Sequence, residues 1–241
     1  MLTAVPLPDQ PLTVLWQSTV VDIEPGSRYG YKTDAASINT TLAVINNTSS
    51  PVSFPLVLAT TDPEERDPSH RKIRVGSHEP ALAPVAEGDI DQEWEVFAAS
   101  VRAQGAAMGY DAGRIEAYLG QLRRAVARAY KSEQITLAPG QERFIRTHNR
   151  KLLPPRDGVF EFRGIFPLPQ FALAVGGTIS VAVAAPRSTQ RFAVDLLDWT
   201  RNFSPQAFGK DPGLPLVGGR FLVSWFWQND PELHIAYRYV G

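Results

Sequence analysis

The chain has 241 residues, 24 Lys and Arg against 25 Asp and Glu, and no cysteine. The missing thiols exclude a disulfide framework, a thiolate metal site and a cysteine nucleophile, and the near-neutral balance argues against an electrostatic nucleic-acid binder. A hydrophobic fraction of 44% is that of a folded globular chain, not a disordered one.

The opening, Met1-Leu-Thr-Ala-Val-Pro-Leu-Pro-Asp-Gln-Pro, carries three prolines and has no basic residue before Arg28, so no secretory signal is expected and synthesis in the cytoplasm is. Prolines leave no backbone donor to build on. Residues 1–11 therefore read as an extended arm that docks on a neighbour, in its own fold or in another subunit. Leu12 to Ile23 is rich in β-branched residues and closes at Pro25-Gly26, the pattern of a strand and a turn. Ile38 to Ala59 reads as two strands around Asn46-Asn-Thr-Ser-Ser50, whose side chains favour turns by bonding their own backbone. Within this stretch Asn39 and Asn46 have the Asn-x-Thr pattern of glycosylation acceptors, which without a signal segment reads as ordinary polar strand and turn chemistry. The loop Asp62-Pro-Glu-Glu-Arg-Asp-Pro-Ser-His70 gathers four carboxylates and an imidazole, but lacks the alternating ligand spacing of a calcium loop. Ile73 to Val75 is a candidate short strand.

All twenty prolines lie at or before Pro84 or at or after Pro139. In the proline-free window, Ile90, Trp94, Phe97, Ala98 and Val101 follow a helical period, with Asp89 and Gln92 at capping-box spacing. Asp111 is placed to cap a second helix whose stripe is Ile115, Tyr118, Leu119, Leu122, Val126 and Ala129. An inserted helical hairpin is expected over 86–132.

Beyond it, Gln134 to Arg146 reads as two strands around Pro139-Gly140, and Val159 to Phe166 as another. His148 sits among Arg146, Arg150 and Lys151, a basic cluster that could meet an anion, although such runs are usually solvated faces. Phe171 to Ala185 is apolar on both faces, and Gly176-Gly177 predicts a two-residue hairpin turn within it. The C-terminus reads as an aromatic hairpin, with Trp225, Phe226 and Trp227 on one strand and Tyr237 and Tyr239 on the other. Trp225 and Phe226 are adjacent, so they must face opposite sides of that strand.

Many short strands punctuated by proline and glycine predict one mainly β domain over 1–241: an antiparallel β-sandwich, jelly-roll-like, with the helical hairpin inserted. No nucleophile elbow, phosphate loop, dinucleotide fingerprint or His-Glu-x-x-His motif occurs, so no catalytic residue, cofactor or metal ligand is assigned and no enzymatic activity is expected. No segment has the length and apolarity of a membrane span. The expectation is a structural protein that assembles with copies of itself or other subunits into an ordered particle, a virion or phage-like shell, with contacts at Val5, Pro6, Leu7, Pro8, Trp225, Phe226, Trp227, Tyr237 and Tyr239. The alternative is a carbohydrate- or receptor-binding module in which the C-terminal aromatics stack on a glycan. Sequence-specific nucleic-acid binding is not expected.

Overall fold

A computed structural model describes residues 2–5, 11–60, 71–86, 88, 91–107, 109–126, 129–165, 172–186, 193–198, 214–216, 220–227 and 231–239. The chain is mainly β, with sheets in which antiparallel pairs dominate. In chain order the strands are β1 (Leu2–Val5), β2 (Leu12–Glu24), β3 (Asp34–Asn46), β4 (Val52–Phe54), β5 (Val57–Thr60), β6 (Lys72–Val75) and β7 (Leu82–Pro84). Helices α1 (Asp91–Ala107) and α2 (Ala112–Val126) follow. Then come β8 (Tyr130–Ser132), β9 (Ile135–Leu137), β10 (Glu142–Leu153), β11 (Phe160–Ile165), β12 (Ala172–Pro186), β13 (Ala193–Asp198), β14 (Leu214–Leu216), β15 (Arg220–Trp227) and β16 (Pro231–Tyr237).

The frame is a seven-stranded sheet in the order β14-β15-β12-β2-β3-β10-β6. Its long central strands alternate buried and accessible residues, as a sheet covered on one face must. On the inner face two apolar clusters lie end to end. Val21, Ile23, Ile38, Leu153, Val181 and Val183 pack on Phe160, Phe162, Ile235 and Tyr237 of the three-stranded sheet β11-β16-β13. Leu12, Val14, Leu42, Val44 and Ile145 pack on Phe54, Leu56, Leu58, Ile135 and Leu137 from the region of β4, β5 and β9. Between the clusters the same face carries buried polar residues: Gln17, Thr19 and Asn149, with the Thr19 hydroxyl 2.9 Å from that of Thr40.

Several expected hairpins do not form. Phe171 to Ala185 is not two strands, because β12 runs unbroken from Ala172 to Pro186 and pairs in parallel with β2. Here the glycines make a bulge. β12 advances from Leu173 to Thr178 while β2 advances only from Val14 to Trp16. Gly176 takes φ 78°, and a Cβ on Gly177 would stand 2.9 Å from both the Leu15 and Ala174 carbonyl oxygens. The C-terminal hairpin is absent too. β15 pairs with β12 and β14, whereas β16 pairs with β11 and β13 in a different sheet. Likewise β3 pairs with β2 and β10, not with its neighbour in sequence β4, which pairs with β9. The start of the chain is a strand as well. β1 runs antiparallel to β5 in register Leu2↔Thr60 to Val5↔Val57.

The helical hairpin lies where its period places it. β7 and β8 pair with each other, so the chain leaves and re-enters one small sheet, β1-β5-β8-β7. Asp111 Oδ1 accepts the amide of Arg114 at 3.1 Å, the capping bond its position implies. Ile115, Leu119 and Ala98 close the interhelical core, and Gly105 lets Ile115 approach: a Cβ there would fall 2.6 Å from Ile115 Cδ1. Arg102 and Glu116 pair across it at 2.7 Å, and Arg123 joins Asp91. No helix among the described residues is long and apolar enough to cross a membrane.

Candidate functional site

One bulge decides what the outer face of the seven-stranded sheet displays. Val14 opposes Val44 and Trp16 opposes Ala43, so Leu15 is an extra residue in β2. Without it Trp16 would follow Val14 into the core. The extra residue inverts the alternation, so that Gln17 is buried and Trp16 turns outward, 37% exposed. The registers then define rows across β2, β3 and β10: Trp16, Ala43 and Phe144; Ser18, Thr41 and Arg146; Val20, Asn39 and His148; Asp22, Ser37 and Arg150.

The first row is an aromatic shelf. Trp16 and Phe144 reach over Ala43 with ring centroids 5.9 Å apart and planes at 41°, and Phe144 is 47% exposed. The guanidinium of Arg146 lies 5.9 Å from the Phe144 centroid. In the third row Nδ1 of His148 stands 2.8 Å from Oδ1 of Asn39, an arrangement in which the imidazole donates. Of the large apolar side chains exposed among the described residues, Trp16, Val20, Phe144 and Leu152 all belong to this face.

β6 adds charge at the sheet edge. Arg146 opposes Arg74 and His148 opposes Lys72. Arg74 pairs with Glu79 at 2.6 Å, which holds the Glu79 carboxyl below the usual carboxylate range, and Arg150 pairs with Glu24 at 2.8 Å. Of the basic cluster seen in sequence, Arg146, His148 and Arg150 share the outer face, while Lys151 alternates to the other side. Lys72 and Arg74 come from seventy residues away and could not be added to it without the strand pairing.

The expected contact residues that are described lie on different elements. Tyr237 is fully enclosed, stacked on Phe160 at 5.3 Å, and so offers no ring to a partner or a sugar. It serves the fold. The Tyr237 and Tyr239 hydroxyls donate to Oδ2 of buried Asp34 at 2.8 and 2.7 Å, while the Ser27 amide and hydroxyl donate to Oδ1 at 2.9 and 2.6 Å. Burial first, then the bond to Asp34, pushes both phenols far above the ordinary tyrosine range. Val5 lies in β1 and Trp225, Phe226 and Trp227 in β15; Pro6, Leu7, Pro8 and the acidic segment 62–70 lie outside the described residues. Among the described residues, no group of three or more His, Asp or Glu side chains is placed to hold a metal ion. Of the two glycosylation-type asparagines, Asn46 is buried, with its amide donating to the Ser50 and Leu137 carbonyls, whereas Asn39 stands on the outer face.

No family model matches the chain, and no curated protein is similar to it in sequence. Among solved structures it is similar to a crystal structure from Legionella pneumophila subsp. pneumophila described as a "putative nutrient binding protein". The TM-score is 0.53 at 10% sequence identity, over 97% of this chain and 70% of that chain. At that identity the likeness is one of fold.

Proposed function

We propose that this chain is a non-enzymatic binding module, built as a jelly-roll-like β-sandwich, that holds a saccharide on the outer face of its seven-stranded sheet. The observation that carries the reading is the Trp16–Phe144 shelf, two accessible rings side by side on a rigid sheet, one row from Thr41 and Arg146 and two from Asn39 and His148. Sugar rings present apolar faces and hydroxyl edges, and an aromatic platform with polar neighbours is complementary to both. A flat face excludes little water, which suits reversible binding better than chemistry. The description of the structural neighbour as nutrient-binding is in keeping with this class, through fold likeness only. A glycan array followed by titration calorimetry tests it. Trp16→Ala and Phe144→Ala should each weaken binding about five- to tenfold while leaving the fold intact, since neither ring belongs to the buried core. Absence of binding to any saccharide would overturn it.

Self-assembly into an ordered particle is the second reading, supported by the four accessible apolar side chains gathered on that face. Of the N-terminal arm, expected to dock in its own fold or on another subunit, Leu2–Val5 pairs with β5 of its own chain. Large homo-oligomers by electron microscopy, together with no glycan binding, would favour assembly.

A further inference from the structure

The register of β10 with β6 puts cation against cation: Arg146 opposite Arg74, and His148 opposite Lys72, with Arg150 next along β10. Like charges directly across a ladder destabilise it, so this arrangement is one that local stability does not favour. Among the described residues the carboxylates offset it only in part: Glu79 pairs with Arg74 and Glu24 with Arg150, whereas Arg146 and Lys72 have no ion pair of their own. Among the described residues four permanent cations (Lys72, Arg74, Arg146 and Arg150) share this face with Glu24, Glu79, Asp22 and, two residues from Phe144, Glu142. The two cations without an ion pair adjoin the aromatic shelf through Arg146, whose guanidinium lies 5.9 Å from the Phe144 ring centroid.

We infer that the ligand of this face is an acidic saccharide, whose carboxylate or sulfate groups lie along Arg146, Arg74 and Lys72 while a sugar ring stacks on Trp16 and Phe144. The inference rests on the saccharide reading above and adds the ligand's charge. Alternate residues on a strand repeat at about 6.6 Å, so Arg146 to Arg150 spans about 13 Å, the scale of a short oligosaccharide. A nucleic acid fits less well. Its affinity comes from neutralising many phosphates, and a face with so few uncompensated cations on a chain without net positive charge supplies little of that.

The test is calorimetric titration of the full chain with four probes: an oligogalacturonate, a heparin-derived oligosaccharide and a neutral gluco-oligosaccharide of equal length, and a single-stranded oligonucleotide. At about 50 mM salt an acidic oligosaccharide should bind at least about tenfold tighter than the neutral one, with an advantage that shrinks as salt rises. The two acidic arms tell carboxylate from sulfate recognition. Arg146→Gln should weaken the acidic ligand about tenfold, with Lys72→Gln as a second, edge-strand variant. Arg102→Gln, in the helical hairpin, should change nothing. Equal affinity for acidic and neutral oligosaccharides overturns the inference and leaves the saccharide reading standing. Tighter binding of the oligonucleotide than of any saccharide, or no binding by any probe, overturns both.

Discussion

Replacing Tyr237 by Phe removes one hydroxyl from the centre of the fold and nothing else. That hydroxyl donates at 2.8 Å to Oδ2 of Asp34, a carboxylate with no solvent exposure. Deleting a hydrogen bond to a buried charge costs about 1.5–3 kcal/mol, and Tyr239, 2.7 Å from the same oxygen, softens the loss. At neutral pH the variant should therefore unfold in urea with a stability lowered by about 2 kcal/mol. The same hydroxyl makes the folded state sensitive to alkali. Burial and Asp34 raise the Tyr237 pKa well above its unfolded value of about 10, so the phenol stays protonated in the native state while the unfolded chain ionises. This contribution is fully present below pH of about 10 and is lost as pH rises beyond it, at about 1.4 kcal/mol per pH unit. By pH of about 11 the wild type should have lost about 1.4 kcal/mol that Tyr237→Phe does not lose. The two stability curves, about 2 kcal/mol apart at pH 7, should thus converge by roughly two thirds. Urea midpoints measured from pH 7 to 11 decide it. Curves that stay parallel, or a variant as stable as the wild type at pH 7, would refute the assignment of Tyr237 to a buried bond with Asp34.

Gly177→Ala should lower stability by about 1–3 kcal/mol in the same assay, because its Cβ meets the Leu15 and Ala174 carbonyl oxygens at 2.9 Å, and these backbone atoms cannot swing aside. It should also weaken ligand binding, since Leu15 is the bulge residue that turns Trp16 outward. Asn149→Leu should leave stability unchanged or raise it by about 1 kcal/mol, because among the described residues neither polar atom of this 1% exposed side chain has a hydrogen-bond partner; a loss above about 1 kcal/mol would show that the amide is satisfied. Arg146→Glu should raise the unfolding free energy by a few tenths to about 1 kcal/mol, by setting opposite charges across from Arg74. Binding should fall at the same time.

What sequence could reveal here was period, and what it could not reveal was partnership. Leu12 to Ile23, Ile73 to Val75, Val159 to Phe166 and both helices announce themselves through alternation, β-branching or a 3.6-residue stripe, and each lies where it was expected to within a residue or two, apart from the ends of α1 and α2. Asp111 declares its cap for the same local reason. Pairing is non-local. A strand's pattern says which side is apolar but not which strand lies beside it, so adjacent strands were joined into hairpins that the fold does not make. The glycine pair in β12 shows the ambiguity most sharply, since Gly-Gly serves a two-residue turn or a bulge equally well and only the neighbouring β2 backbone selects the bulge. The candidate site suffered from this twice over. Trp16 reaches the surface through a parity change at Leu15 that no residue type signals, and the cation ladder joins β6 to β10 across a separation that hides it from any local count.

β10 carries groups that local stability does not favour on both faces of one stretch. Outward, Arg146 and His148 oppose cations; inward, between His148 and Arg150, Asn149 puts an unpaired amide between two apolar clusters that a leucine would join. Two comparable polar groups elsewhere are fully satisfied. Asn46 is as buried as Asn149, yet its amide donates to two carbonyls and its Oδ1 accepts from Thr48, and buried Asp34 collects four donors. Local rules that are broken together, at one place, without a structural return are the mark of a site kept for another purpose. The aromatic shelf begins on that same strand with Phe144, so the groups that stability does not favour and the rings a ligand would meet lie within a few residues of one another.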